Sequence, residues 1–232
     1  MEVKVLPRQF YLRDSVTIAQ ELIGKLLVRD SGSESLVCRI VETEAYNQED
    51  PASHSFHGLT ARTAPMFEAG GIAYVYFIYG MYDCFNVVTD RAGYGSAVLI
   101  RAAEPISGIE AMWRCRFPEK PFPEPITAQQ LCAITGGPGK LARAMGIERA
   151  RDNGKDLSES DLTIRDDAFE SGSRIEHDVR IGISVGTEVE WRFYLSNSPC
   201  VSRFKDSRAT AGEQLGAQPP RSSIRRSRSS AE

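Results

Sequence analysis

Tyr74-Val-Tyr-Phe-Ile-Tyr-Gly-Met-Tyr-Asp-Cys-Phe-Asn-Val-Val88 reads as two short strands that turn back at Tyr79-Gly80-Met81-Tyr82. On the incoming strand a period of two puts Tyr74, Tyr76 and Ile78 on one face and Val75, Phe77 and Tyr79 on the other. Phe85, Val87 and Val88 are good strand formers on the way out. The turn is unusual, because a plain hairpin places Asn or Asp beside its glycine and this one places Tyr79 and Met81 there. Bulky rings held outward do nothing for stability, so such a tip points to a partner on which it stacks or into which it wedges. Ordinary sheet packing accounts for Tyr74 and Tyr82, and it stands for Tyr76 and Tyr79 only until the rest of the chain is read.

Working outward, Asp14 to Gly24 carries a capping residue, apolar positions at Val16, Ala19, Leu22 and Ile23, and a terminal glycine, which together predict an amphipathic helix. Lys25–Asp30 and Leu36–Tyr46 read as strands around a Ser/Gly loop. Glu42 and Glu44, two apart near the end of the second, share one face. Residues 47–73 lack periodicity and hold two prolines, His54, Arg62, Thr63 and Met66. An irregular run of this length inside a domain is usually functional. Downstream, Ala97–Ala102 reads as a strand and Glu104–Phe117 as a helix. After a Pro-rich connector, Thr127–Ile134 and the segment from Gly136 to Gly146 also read as helices. Residues 150–172 read as loop, and 174–184 and 191–195 as strands. The pattern predicts an α+β fold: one domain over 1–206, with a curved, mostly antiparallel sheet, helices around it and the hairpin protruding.

The tail, 207–232, is rich in Ser and Arg and has too little apolar surface to fold, so disorder is expected there. From Arg208 onward it holds five arginines and two glutamates; with a formal net charge of −3 for the whole chain, the preceding body carries six net negative charges. An acidic body disfavours indiscriminate binding to nucleic acid, although a local basic strip remains compatible with it. At 232 residues, 41% hydrophobic and 25% charged, the composition is that of an ordinary globular protein. The charged N-terminus does not read as a signal peptide, and no run is long enough to span a bilayer. The five cysteines are scattered, with no Cys-x-x-Cys, and read as reduced thiols of a cytoplasmic protein. They make no metal-ligand spacing with His54, His57 or His177, so no metal or other cofactor is expected.

Three constellations carry chemistry. Glu44 beside Tyr46 is a carboxylate at a strand end next to aromatic rings, a setting that suits a general base. Tyr46, His54, Tyr76 and Tyr79 present flat π faces from a strand, a loop and a hairpin, which suits a planar, electron-poor ligand such as a base. Core packing of tyrosines is the plainer account of the same rings. Gly136-Gly-Pro-Gly-Lys140 offers free backbone N–H groups and a lysine at a helix start, a place for a phosphate. It lacks the P-loop spacing, and a tight turn explains it equally well.

Taken in order, Arg39-Ile-Val-Glu-Thr-Glu-Ala-Tyr46, Ala52-Ser-His-Ser55, Arg62-Thr63 with Met66-Phe67, the hairpin 74–82, Cys84-x-Asn86, Val98-Leu-Ile-Arg-Ala-Ala-Glu-Pro105 and Gly137-Pro-Gly-Lys-Leu141 resemble the alkyladenine (3-methyladenine) DNA glycosylase family. The resemblance runs from about Leu6 to Phe204, takes in Arg192-Phe-Tyr and Ser198-Pro, and leaves the tail outside. It implies a monofunctional base-excision-repair enzyme that flips an alkylated purine out of double-stranded DNA and hydrolyses its N-glycosidic bond, leaving an abasic site. By motif, Glu44 is implied as the base that activates water. Tyr46, His54 and Tyr76 become pocket walls, with Asn86 and Leu99 near the flipped base. Tyr79 becomes the intercalating wedge, and Arg101 holds the flipped nucleotide's phosphate. Met66, Met81, Tyr82, Lys140 and Ser198 fall near the DNA backbone or the wedge. The expected protein is a monomer working on damaged duplex DNA, away from membranes. Two other readings compete: a catalytically silent damaged-DNA or purine-binding module, and a small-molecule nucleosidase, which leaves Tyr79 and Arg101 unexplained.

Overall fold

The computed structural model describes residues 3–202 apart from positions 31, 33, 171 and 173; the Ser/Arg-rich tail read from 207 onward lies outside the described residues. The order is β1 (Lys4–Val5), α1 (Arg8–Tyr11), α2 (Ser15–Leu22), β2 (Leu26–Asp30), β3 (Ser35–Asn47), a 3-10 turn (Ala64–Phe67), β4 (Ala73–Ile78), β5 (Tyr82–Val88) and β6 (Ser96–Ser107). Then follow α3 (Ile109–Arg116), α4 (Ala128–Thr135), α5 (Pro138–Ala144), α6 (Arg149–Asp152), β7 (Leu162–Asp166), β8 (Ile175–Asp178) and β9 (Arg192–Leu195). The described strands form an antiparallel sheet in the order β1-β7-β2-β3-β6-β5-β4, with β9 on β3 and β8 on β9.

The sheet is built on β3, because this strand is long enough to serve two partners along one edge. Its first half pairs with β2, Glu42–Glu44 pair with β9, and β6 runs along its other edge. Helix α2 begins where Asp14 accepts a hydrogen bond from the Thr17 amide, and it buries Ser15, Ile18, Ala19 and Leu22, the i, i+3, i+4, i+7 face. Thr43 ties that helix to the sheet through its hydroxyl, which donates to the Ala19 carbonyl at 2.8 Å. Helix α4 starts on a full capping box between Thr127 and Gln130.

The hairpin is β4–β5, with Ile78 opposite Tyr82. Tyr79 and Gly80 both take positive φ, 54° and 68°, and the Met81 amide donates back to the Ile78 carbonyl at 3.3 Å. This is the I′ pattern, whose twist matches paired strands, and Tyr79 adopts it at a steric cost that Asn would largely avoid. On the outer side, the Asn153 side chain accepts from the Val75 amide and the backbone of Gly154 and Lys155 pairs with Ala73, which covers the edge of β4.

The fold differs from the sequence reading in four places. Glu104–Ser107 continue β6 and are not the start of a helix; Pro105 sits at a register shift opposite Cys38, and Gly108 in the left-handed region turns the chain into α3. Residues 150–172, read as loop, contain β7, whose Leu162 and Ile164 are fully buried between β1 and β2. The strand expected over 174–184 stops at Asp178. Cys132 and Cys200 form a disulfide, where thiols were expected, because the fold brings together positions 68 apart in sequence. Cys38, Cys84 and Cys115 remain thiols. Among the described residues no helix is long and apolar enough to cross a membrane.

Candidate active site

Strand register does most of the assembly. Tyr74 pairs with Asn86, Asn86 with Leu99, Leu99 with Glu44 and Glu44 with Arg192, a single row across β4, β5, β6, β3 and β9. Residues opposite one another share a face, so this row carries Tyr74, Asn86, Leu99 and Glu44 to one surface. Tyr46, Tyr76 and Arg101 lie two positions along their strands from row members. Arg101 has no register partner, because Thr43 and Glu42 pair with Ile100 and Ala102 around it. It is a bulge residue, and bulges re-aim side chains.

Above this surface opens a cleft of about 730 Å³, within the range of small-molecule sites. Glu44, Tyr46, His54, Met66, Tyr76, Tyr79, Asn86, Leu99 and Arg101 all line it, so nine of the thirteen residues singled out from sequence converge there. The irregular segment 47–73 closes one side with Ser53, His54 and Arg62, and Ile181–Val185 close another.

Glu44 is fully buried and accepts three hydrogen bonds. The Tyr46 hydroxyl donates to Oε2 at 2.8 Å, Arg101 Nη1 to Oε2 at 3.2 Å, and the Ile181 amide to Oε1 at 2.7 Å. Burial, with the Glu44 charge behind it, holds the Tyr46 phenol well above its ordinary range, so it remains a donor at neutral pH. Glu42, also fully buried, accepts from Arg192 Nε at 2.6 Å, from Arg101 Nε at 3.3 Å and from the Ser202 amide at 2.8 Å, and it does not line the cleft. The two carboxylates therefore share Arg101 from different sides.

His54 stands edge-on to Tyr76, with ring centroids 4.6 Å apart, and its Nδ1 is 2.9 Å from the Tyr74 hydroxyl. Arg62 Nη2 lies 3.4 Å from Nε2. An arginine only donates, so Nε2 is the acceptor and Nδ1 carries the proton. Burial first, and then the charge of Arg62, pull His54 down to about 4, so the ring is neutral at pH 7. The folded state prefers the neutral form; the resulting stability is complete above pH 6.5 and is lost as pH falls toward 4. The His54 ring protons should accordingly titrate near 4 by NMR, and Arg62→Ala should raise that midpoint. An unchanged midpoint would show that Arg62 has no part in it.

The remaining residues lie partly in the cleft and partly outside it. Tyr79, at the tip, is 76% exposed and joins the cleft although alternation placed it on the far face; its positive φ reverses the side chain's direction. Met66 lines the cleft and, nearly buried, packs with Tyr74, Val88 and Ala97. Met81 is exposed on the tip. Tyr82 lies over Gly139, where a Cβ would come within 2.8 Å of its ring, so α5 presses against the hairpin only because that position is glycine. Lys140 is exposed in the first turn of α5, next to the cleft-lining Pro138. Ser198 faces away from the cleft, its hydroxyl donating to Glu104 in a turn after β9. Sequence reading missed Arg180, which is 3% exposed, paired with Asp50 and packed on the Tyr46 ring. Its only trace was an arginine in a segment mistaken for strand.

Comparisons with known proteins show the family. A family model described as methylpurine-DNA glycosylase matches residues 9–199. A protein of Desulfitobacterium hafniense named "Putative 3-methyladenine DNA glycosylase" is 44% identical over 205 residues, 86% of this chain and 99% of its own length. Relatives of the same name from Methanocella arvoryzae and Alkaliphilus oremlandii are 46% and 43% identical, over 86% and 85% of this chain and 96% and 98% of theirs. With a match across most of its length and the row of residues above at its centre, the chain belongs to the methylpurine-DNA glycosylase family of DNA-repair enzymes.

Proposed function

We propose that this DNA glycosylase turns an alkylated purine out of duplex DNA into the cleft and hydrolyses its N-glycosidic bond with a water activated by Glu44. One observation carries the reading: Glu44, with both oxygens held by donors, forms part of an aromatic-walled cleft at whose mouth the Tyr79 ring is 76% exposed. Extrusion of a base costs a few kcal/mol, least where pairing is already damaged, and a ring inserted into the gap offsets part of that cost. A purine alkylated at N3 or N7 is cationic. Tyr46 and Tyr76 offer it π faces, and a neutral His54 adds no repulsion.

As the bond from C1′ to the purine nitrogen lengthens, its electron pair leaves with the base, which departs neutral and needs no acid. The sugar gains oxocarbenium character, which the Glu44 carboxylate stabilises. Water adds at C1′ and gives its proton to Glu44. The product is an abasic site with the strand intact. Arg101 Nε and Nη1 are engaged by Glu42 and Glu44, and Nη2 serves the phosphate of the flipped nucleotide.

Single-turnover release of 3-methyladenine from alkylated duplex, set beside the methylated nucleoside, tests the reading. Release from duplex alone is expected; release from the nucleoside alone would make the protein a nucleosidase. Tyr79→Ser should lower release at limiting enzyme by about tenfold, or about 1.4 kcal/mol, toward the lower end of the roughly 1–3 kcal/mol that one stacked base contributes, and less at saturating enzyme. An unchanged rate at limiting enzyme would remove the wedge role.

A further inference from the structure

The cleft wall at Ile181–Val185 hangs on one group that does not itself line the cleft. Arg180 Nη1 donates to Asp50 and, at 3.0 Å, to the Ala45 carbonyl. Its Nη2 donates to the other Asp50 oxygen at 2.9 Å and to the Gly186 carbonyl at 3.4 Å. The guanidinium carbon lies 4.7 Å from the Tyr46 ring centroid and 5.4 Å from that of Trp191. The wall therefore starts and ends on the same guanidinium, which also grips β3. Gly186 takes φ 59°, and a Cβ there would sit 3.2 Å from Asp50 and 3.4 Å from Arg180. Two of the three donors to Glu44 depend on this hub: the Tyr46 hydroxyl, on a ring the guanidinium packs against, and the Ile181 amide, the next peptide group along the chain.

We propose that Arg180, clamped by Asp50, is a positioning residue that holds the Glu44 carboxylate in register with the reacting sugar; the inference rests on Glu44 being the base. A two-pronged arginine–carboxylate pair fixes orientation as well as distance, and lysine cannot reproduce it. Arg180 touches neither the base nor the sugar in this role. Its loss should leave capture of damaged DNA largely intact and slow the chemical step.

The test uses Arg180→Met, Arg180→Lys and Asp50→Asn, the last nearly isosteric and available should the methionine variant fail to fold. Misplacing a reacting group by about 1 Å costs roughly 10²-fold, so the saturating single-turnover rate should fall about that much while the half-saturating enzyme concentration stays nearly constant. The lysine variant should fall between wild type and methionine. The double variant of Arg180→Met with Asp50→Asn should be no slower than the worse single one, since the two act as a unit. Independently of activity, exchange of the Ile181 amide with solvent should quicken in each variant. A protected Ile181 amide, an unchanged saturating rate, or a rate loss matched by weaker capture would each overturn the proposal. A wild-type protein that releases no base would overturn the role of Glu44 itself, and the amide exchange would still report whether Arg180 holds the wall.

Discussion

Glu44→Gln is expected to lower the single-turnover release of 3-methyladenine by about 10³-fold, the middle of the range for a general base, while binding of damaged duplex persists. The amide is isosteric, so the cleft keeps its shape and its aromatic walls. It cannot take a proton from water, and it offers no charge to an oxocarbenium-like sugar. Locally, the Tyr46 hydroxyl can rotate to meet either amide atom, and Arg101 keeps Glu42 as a partner. A variant that binds and does not cleave would identify Glu44 as the base. Release within a fewfold of wild type would move that role to another group and leave Glu44 as an anchor for Arg101 and the Ile181 amide.

Glu42→Gln should behave in the opposite way, losing stability first. From sequence it is the natural control for Glu44, being the same residue type on the same face of the same strand. In the fold it is fully buried between two arginines and the Ser202 amide. An exposed ion pair contributes at most about 1 kcal/mol. Removing one member of a buried set leaves an uncompensated charge and costs about 3–5 kcal/mol. Among the described residues Arg192 would be left with the neutral Ser202 carbonyl at 3.1 Å and, as its one charged partner, Asp178, whose side chain is 48% exposed, at 3.4 Å. For a domain of this size a loss of 3 kcal/mol corresponds to a drop in Tm of roughly 6–12 °C. Below that Tm the variant should still release base. A stable but inactive Glu42→Gln would instead place the water-activating charge at 42.

The contrast between these neighbours shows where sequence reading stops. Alternation placed Glu42 and Glu44 on one face, and in the fold both accept from Arg101. Which of them opens onto the cleft depends on partners from β9 and from the segments after 178 and 198, far along the chain. The same holds for β7: Leu162-Thr-Ile-Arg-Asp166 carries a short alternation, yet only its place between β1 and β2 makes it a strand. Ser198 carried a motif match and lies in a turn, hydrogen-bonded to Glu104.

By itself the sequence determined the α2 helix, the long strand β3 and the hairpin with Tyr79 at its tip, because local periodicity is written in neighbouring residues. The grouping of Glu44, Tyr46, His54, Tyr76, Asn86, Leu99 and Arg101 came from the resemblance of its ordered motifs to the glycosylase family, and these residues line one cleft. Only the tertiary structure decided the bulge that aims Arg101, the Cys132–Cys200 bond, the neutral state of His54 and the Arg180–Asp50 hub behind Tyr46. Most of these are contacts between segments distant in sequence, and the His54 state adds burial to a charge eight residues away. For His54 and the Arg180–Asp50 pair the energy comes from burial and from a partner's charge, and neither exists until the chain has closed around them.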